Sequence, residues 1–258
     1  MEEDTRSRLV AFGYRLGLID RRRFVVERYL SERLVPDGTR RGAAWRDLKR
    51  ARERGLPLLV VIGCGRSGTQ FTANLFQRAK VRSRHEYYVL GGRQRVLSSW
   101  PLSGDGVDVP WPPSAETIAH RKLIYVHQIR HPLAVISSTQ TFEPQSWRYV
   151  VRQIDADGEE RPLRRAMQYW LQWNLLSERK AAMTYRVEDM GQVLPTLVAK
   201  GELSVSLDAV MNAYRATSQS THKRPHTDYS WADLEAEDAA LTGEIRKLAA
   251  KYGYTTES

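Results

Sequence analysis

The sequence predicts an α/β domain, a central parallel sheet flanked by helices, preceded by a helical N-terminal extension. Three observations lead there. Leu58-Leu-Val-Val-Ile62 is an unbroken apolar run of strand length, and Leu123-Ile-Tyr-Val-His-Gln-Ile-Arg130 is a second strand-like run. Continuous apolar runs suit strands that are buried on both faces. Each run leads into a segment with helical spacing, and strands alternating with helices build a parallel sheet. At 258 residues the chain is long enough to bury a full core. The division falls near Gly55 and Pro57, giving a basic helical extension over 1–56 and the α/β domain over 57–258.

In chain order, Leu9, Phe12, Leu16 and Ile19 recur at helical spacing, and so do Val26, Leu30 and Leu34. They predict two amphipathic helices joined near Arg21-Arg22-Arg23, with Pro36-Asp37-Gly38 ending the second. A basic helix follows from about Ala43 to Arg54. These helices are expected to pack on the core as a lid or flank; a homodimer contact or an acceptor-binding cover is the alternative. After the first strand comes the glycine-punctuated loop Gly63-Cys-Gly-Arg-Ser-Gly-Thr69. Phe71, Leu75, Phe76 and Ala79 then share one face of a helix. Val81 to Tyr88 reads as a short strand or loop. Residues 91–114, rich in Gly, Ser and Pro with Trp100 and Trp111, read as one long functional loop.

The second strand ends on Arg130, and Pro132 suits the first position of a helix running through Leu133 to Ser138. Ser146 is expected to cap a helix reaching Ile154, with a turn at Asp155-Ala-Asp-Gly158. Leu163, Met167, Trp170, Leu171 and Leu175 mark a buried helical face. Residues 216–229 read as a polar, basic, flexible loop. Ile245, Leu248, Ala249 and Tyr252 belong to the last helix, with Gly253 as its C-cap.

Strand, glycine-rich loop and helix together make an anion cradle, because backbone N–H groups converge with the helix N-terminus. The spacing from Gly63 to Gly68 resembles a Walker A loop, but Thr69 stands where the lysine belongs and Gln70 where the Mg²⁺ hydroxyl belongs. The only cation in the loop is Arg66. An NTPase needs that lysine for the β- and γ-phosphates. Arg130 is a second anion-binding candidate, since strand C-terminal ends are where open α/β sheets take ligands. Arginine holds phosphate bidentately, and a serine hydroxyl such as that of Ser138 adds a further bond.

Gly63-x-x-Arg66-Ser67-Gly68-Thr69 resembles the 5′-phosphosulfate loop of sulfotransferases that use PAPS (3′-phosphoadenosine-5′-phosphosulfate). The strand-Arg130-x-Pro132-helix-Ser138 pattern resembles the 3′-phosphate motif of the same family, and the two occur in the family's order. Met183-Thr-Tyr-Arg-Val-Glu-Asp-Met190 is similar to the strand and acidic turn after the family's central helices. Thr227-Asp-Tyr-Ser-Trp-Ala-Asp-Leu234 is similar to the Trp-containing segment before its last helix, although Ser230 and Asp233 also fit a capping box. The resemblance covers roughly 57–254, is that of a bacterial-type soluble member, and implies a P-loop-type three-layer fold.

The resemblance implies PAPS as sulfuryl donor. Gly65, Arg66, Ser67, Gly68, Thr69 and Gln70 would lie around its 5′-phosphosulfate, and Arg130 and Ser138 around its 3′-phosphate. Arg66, with the N–H groups of Ser67, Gly68 and Thr69, would neutralise the leaving phosphate. Many relatives have lysine at the place of Arg66. Arginine does not give up a proton, so its part is electrostatic. The general base implied is Glu86, in Ser83-Arg-His-Glu-Tyr87, with His85 as its rival. His120 and His127 read as structural.

Net charge is +10, and residues 1–56 carry 15 Lys and Arg against 9 Asp and Glu. Most of the excess therefore lies outside the α/β domain, and no zinc-finger, homeodomain or aromatic RNA-binding signature accompanies it, so no nucleic-acid partner is expected. No apolar run reaches 18 residues, so no membrane span is expected. The polar N-terminus and the single cysteine, Cys64, favour a cytoplasmic protein without an intrachain disulfide. Six scattered histidines, with Pro225 breaking His222-x-x-x-His226, argue against a metal site. The acceptor is expected to be a hydroxyl of a small molecule or carbohydrate. The alternatives are a nucleotide kinase-like P-loop enzyme and a non-catalytic nucleotide-binding protein of the same fold.

Overall fold

The computed structural model describes residues 56–85, 95–98, 122–156, 158, 160–217 and 225–256. The N-terminal helices expected over 1–55 lie outside the described residues. So do Glu86, His120, His222 and most of the expected 91–114 loop.

Among the described residues, five parallel strands form one sheet: β1 (Leu58–Ile62), β2 (Ser83–His85), β3 (Val96–Ser98), β4 (Leu123–Ile129) and β5 (Thr184–Arg186), in the order β2-β3-β1-β4-β5. All five residues of β1 are buried, because the strand is central and covered on both faces. Leu59 and Val61 pack with α1 (Thr69–Arg78), α5 (Met190–Lys200) and α6 (Leu207–Ala216). On the opposite face, α4 (Pro162–Lys180) lies against β4, where Asn174 meets His127. That layer also holds α2 (Pro132–Ser138), α3 (Pro144–Val150), α7 (Trp231–Glu237) and α8 (Ala239–Lys251). Helices on both faces of a parallel sheet make the α/β architecture that the alternating pattern predicts. Among the described residues, no helix is long and apolar enough to cross a membrane.

The strand order places the site. The chain leaves β1 to build β2 and β3 on one side, then crosses to build β4 and β5 on the other. Leu58 to Ile62 pairs in register with Leu123 to His127. The segments after β1 and β4 therefore emerge side by side, at the reversal of strand order where open α/β sheets bind ligands.

The expected strand at Leu58–Ile62 and the helix opened by Pro132 form as read, and the strand expected over Leu123 to Arg130 forms over Leu123–Ile129, with Arg130 just past its end. Gly253 follows the last helix with φ 79°, the left-handed geometry of a C-cap glycine. Ser230 and Asp233 form the capping box of α7.

Four expectations change. Val96–Ser98, read as part of a loop, is a fully buried strand between β2 and β1; three residues flanked by Gly and polar residues give no periodicity. The helix expected to start at Ser146 starts at Pro144, with Glu143 as N-cap, and ends at Val150. On α4, Tyr169, Trp170 and Trp173 are wholly buried, whereas Leu163, Leu171 and Leu175 lie at the margin. Helices α5 and α6 were not anticipated. Gly191 and Pro195 weaken the helical pattern of α5, but burial of Met190, Leu194 and Leu197 against the sheet outweighs it.

Candidate functional site

The loop after β1 is shaped by its glycines. Gly63 has φ 152°, and a Cβ there would lie 2.1 Å from the Gln128 carbonyl oxygen. Gly68 has φ 91° and serves as the N-cap of α1. No side chain caps that helix and no acidic residue occupies its first turn. Its orphan N–H groups therefore point out of the strand end, where an anion is stabilised both by hydrogen bonds and by the helix dipole.

Arg66 adopts φ 73°, a left-handed conformation uncommon for a residue with a side chain. Such outliers persist where surrounding contacts hold them, and they gather at functional sites. Its guanidinium donates to the Thr141 carbonyl at 3.0 Å and lies 5.2 Å from the Phe142 ring centroid. Its own carbonyl accepts a 3.1 Å hydrogen bond from Arg130 Nη1. Trp170 Nε1 holds the Arg130 carbonyl from α4 at 3.3 Å. The two arginines picked out from separate strand ends thus meet.

The remaining site residues divide. Thr69, buried at the start of α1, pairs through Oγ1 with His85 Nε2 at 3.0 Å, so the end of β2 joins the site. Ser67 is turned inward: its N–H and its hydroxyl both bond the Cys64 carbonyl, at 3.1 and 2.6 Å. It closes the turn of the loop, and its N–H does not face a ligand as the sequence reading expected. The Gly65 N–H is likewise engaged, by the Tyr169 hydroxyl at 2.6 Å. Outward donors therefore centre on Gly68, Thr69 and Gln70. Ser138, half-buried at the end of α2, connects to the loop indirectly: its carbonyl accepts from the Thr141 hydroxyl, and Thr141 accepts from Arg66. The neighbouring Ser137 is buried and accepts the Tyr229 N–H.

His127 lies on the other face of β4, between Asn174 Oδ1 at 3.0 Å and Thr184 Oγ1 at 3.2 Å. Burial lowers its pKa to about 4, so it is a neutral core residue near pH 7. Burial pushes the Cys64 thiol up, which makes it an unreactive small packing residue. Among the described residues, no group of three or more His, Cys, Asp or Glu side chains gathers in ion-binding geometry.

Two residues that the sequence reading did not single out, Gln128 and Tyr169, brace this site, together with Trp170, which it placed on a buried helical face. The only signal was a polar amide inside an apolar strand, two residues before Arg130. Comparisons with protein-family models, with curated proteins and with solved structures find no match for this chain.

Proposed function

We propose that this chain is a sulfotransferase that moves the sulfuryl group of PAPS to a hydroxyl of a small molecule or carbohydrate. The observation that carries the reading is the junction of two arginine-bearing strand ends beside an uncapped helix N-terminus, sealed by the bond from Arg130 to the Arg66 carbonyl. Such a site suits a ligand with two separated anionic groups. The cradle also fits closely. A Cβ on Gly65 would come within 2.8 Å of Phe142, and one on Gly68 within 3.0 Å of Val187, so only bare backbone passes there.

In this reading the acceptor oxygen attacks sulfur, the bond from sulfur to the 5′-phosphate oxygen breaks, and the bisphosphate leaves. Arg66 and the first-turn N–H groups of α1 meet the charge growing on that leaving oxygen. The acceptor proton goes to a base at the end of β2. The candidates are Glu86, which lies outside the described residues, and its rival His85, which reaches the loop through Thr69.

The bisphosphate product, 3′-phosphoadenosine 5′-phosphate, is expected to stabilise the fold far more than ATP with Mg²⁺ does. At about 100 times its dissociation constant it should add roughly 2.7 kcal/mol. A thermal shift that favours ATP–Mg²⁺ would replace this reading with the kinase-like one. A second result separates the two arginines. Arg130→Ala should weaken PAPS by about 10- to 100-fold, a charged hydrogen bond being worth roughly 1.5–3 kcal/mol. Adenosine phosphosulfate, which lacks the 3′-phosphate, should lose less, only what the loop loses with the bond from Arg130 to the Arg66 carbonyl; equal losses for both donors would move Arg130 away from that group.

A further inference from the structure

We propose that Gln128 is the positioning residue of the anion loop: its carboxamide fixes the direction of the Ser67–Gly68 peptide and thereby aims the Gly68 N–H outward. The inference rests on the loop being an anion site, as the proposed function requires.

Gln128 lies in β4 with no exposed surface, next to the residue before Arg130. Its Nε2 donates to the Ser67 carbonyl at 2.7 Å. Its Oε1 accepts from the Tyr185 hydroxyl at 2.8 Å and from the Thr72 hydroxyl. The amide has one workable orientation. A carbonyl only accepts, so the atom facing Ser67 must be the NH₂ group, while hydroxyls from α1 and β5 satisfy the oxygen. Burial pushes the Tyr185 phenol up, so it remains a donor throughout the physiological range.

The consequence for the loop follows from peptide planarity. In a trans peptide the C=O and the next N–H point in opposite directions. A Ser67 carbonyl drawn down to the buried strand therefore sends the Gly68 N–H away from it, to the open side of the loop. Both flanking glycines conform to the same residue. A Cβ on Gly63 would strike the Gln128 backbone carbonyl oxygen at 2.1 Å, and one on Gly68 would press on its side-chain Nε2 at 3.2 Å. An apolar side chain would fill this space but would not hold the peptide.

Gln128→Met and Gln128→Leu keep the site filled with apolar atoms and remove the donor, since neither side chain offers a proton to the Ser67 carbonyl. Calorimetry with 3′-phosphoadenosine 5′-phosphate, at a temperature where each variant is folded, should show about 10- to 100-fold weaker binding, the loss of one hydrogen bond to a charged group. Affinity within twofold of the parent in both variants would overturn the proposal. Crystal structures of the two variants test it without the nucleotide: the Ser67–Gly68 peptide should turn over, and an unchanged peptide overturns the idea. If the parent fails to bind the bisphosphate while the variant peptide does turn, the proposed function falls and the positioning role of Gln128 stands.

Discussion

His85→Gln is expected to lower turnover with an alcohol acceptor by about 10²- to 10⁴-fold, the usual span for removing an acid–base group. Glutamine can keep the bond that His85 makes to Thr69 Oγ1, so the loop stays in place while the proton acceptor is lost. Donor binding should remain intact, and a more acidic phenol should suffer less because its proton leaves more easily. The paired variant Glu86→Gln decides between neighbours. If it abolishes turnover while His85→Gln remains active, the base is Glu86 and His85 only orients Thr69. If both remain active, the acceptor proton leaves by another route.

Arg66→Ala is expected to lower turnover by about 100- to 1,000-fold, the loss seen when one preorganised donor to a developing oxyanion is removed. The effect should fall mainly on turnover and not on donor affinity, since the charge that Arg66 meets grows in the transition state. Arg66→Lys should recover much of the loss, because lysine supplies a point charge although not the planar fork. The bond to the Thr141 carbonyl and the contact with Phe142 go with the side chain, so turnover is read at a temperature where the variant is folded. Near-normal turnover in the alanine variant would remove Arg66 from the leaving phosphate.

The two variants probe different strand ends joined by one loop. Thr69 opens α1 and touches His85, while Arg66, three residues earlier, accepts a hydrogen bond from Arg130. A shift of the loop would move the Thr69–His85 pair and the Arg66–Arg130 pair together.

The sequence by itself determined the central strand at Leu58–Ile62, the loop with its single arginine, the strand leading to Arg130, and the capping box at Ser230 and Asp233. These are local signals. An apolar run, a glycine needed for a left-handed turn, a proline opening a helix and a serine three residues before an acid each act within a few residues. Tertiary structure alone decided the rest. It paired β1 with β4, so that Arg66 and Arg130 meet. It inserted the three-residue β3 between β2 and β1, a strand too short to show periodicity and held by partners on both sides. It turned Ser67 inward and engaged the Gly65 N–H with Tyr169, leaving the outward donors to the start of α1. The bond from Gln128 to Ser67 joins residues 61 apart in the chain, and that from Gly65 to Tyr169 joins residues 104 apart. Contacts at such separations leave no pattern in the sequence, because a buried polar side chain is satisfied by whichever group the fold delivers to it.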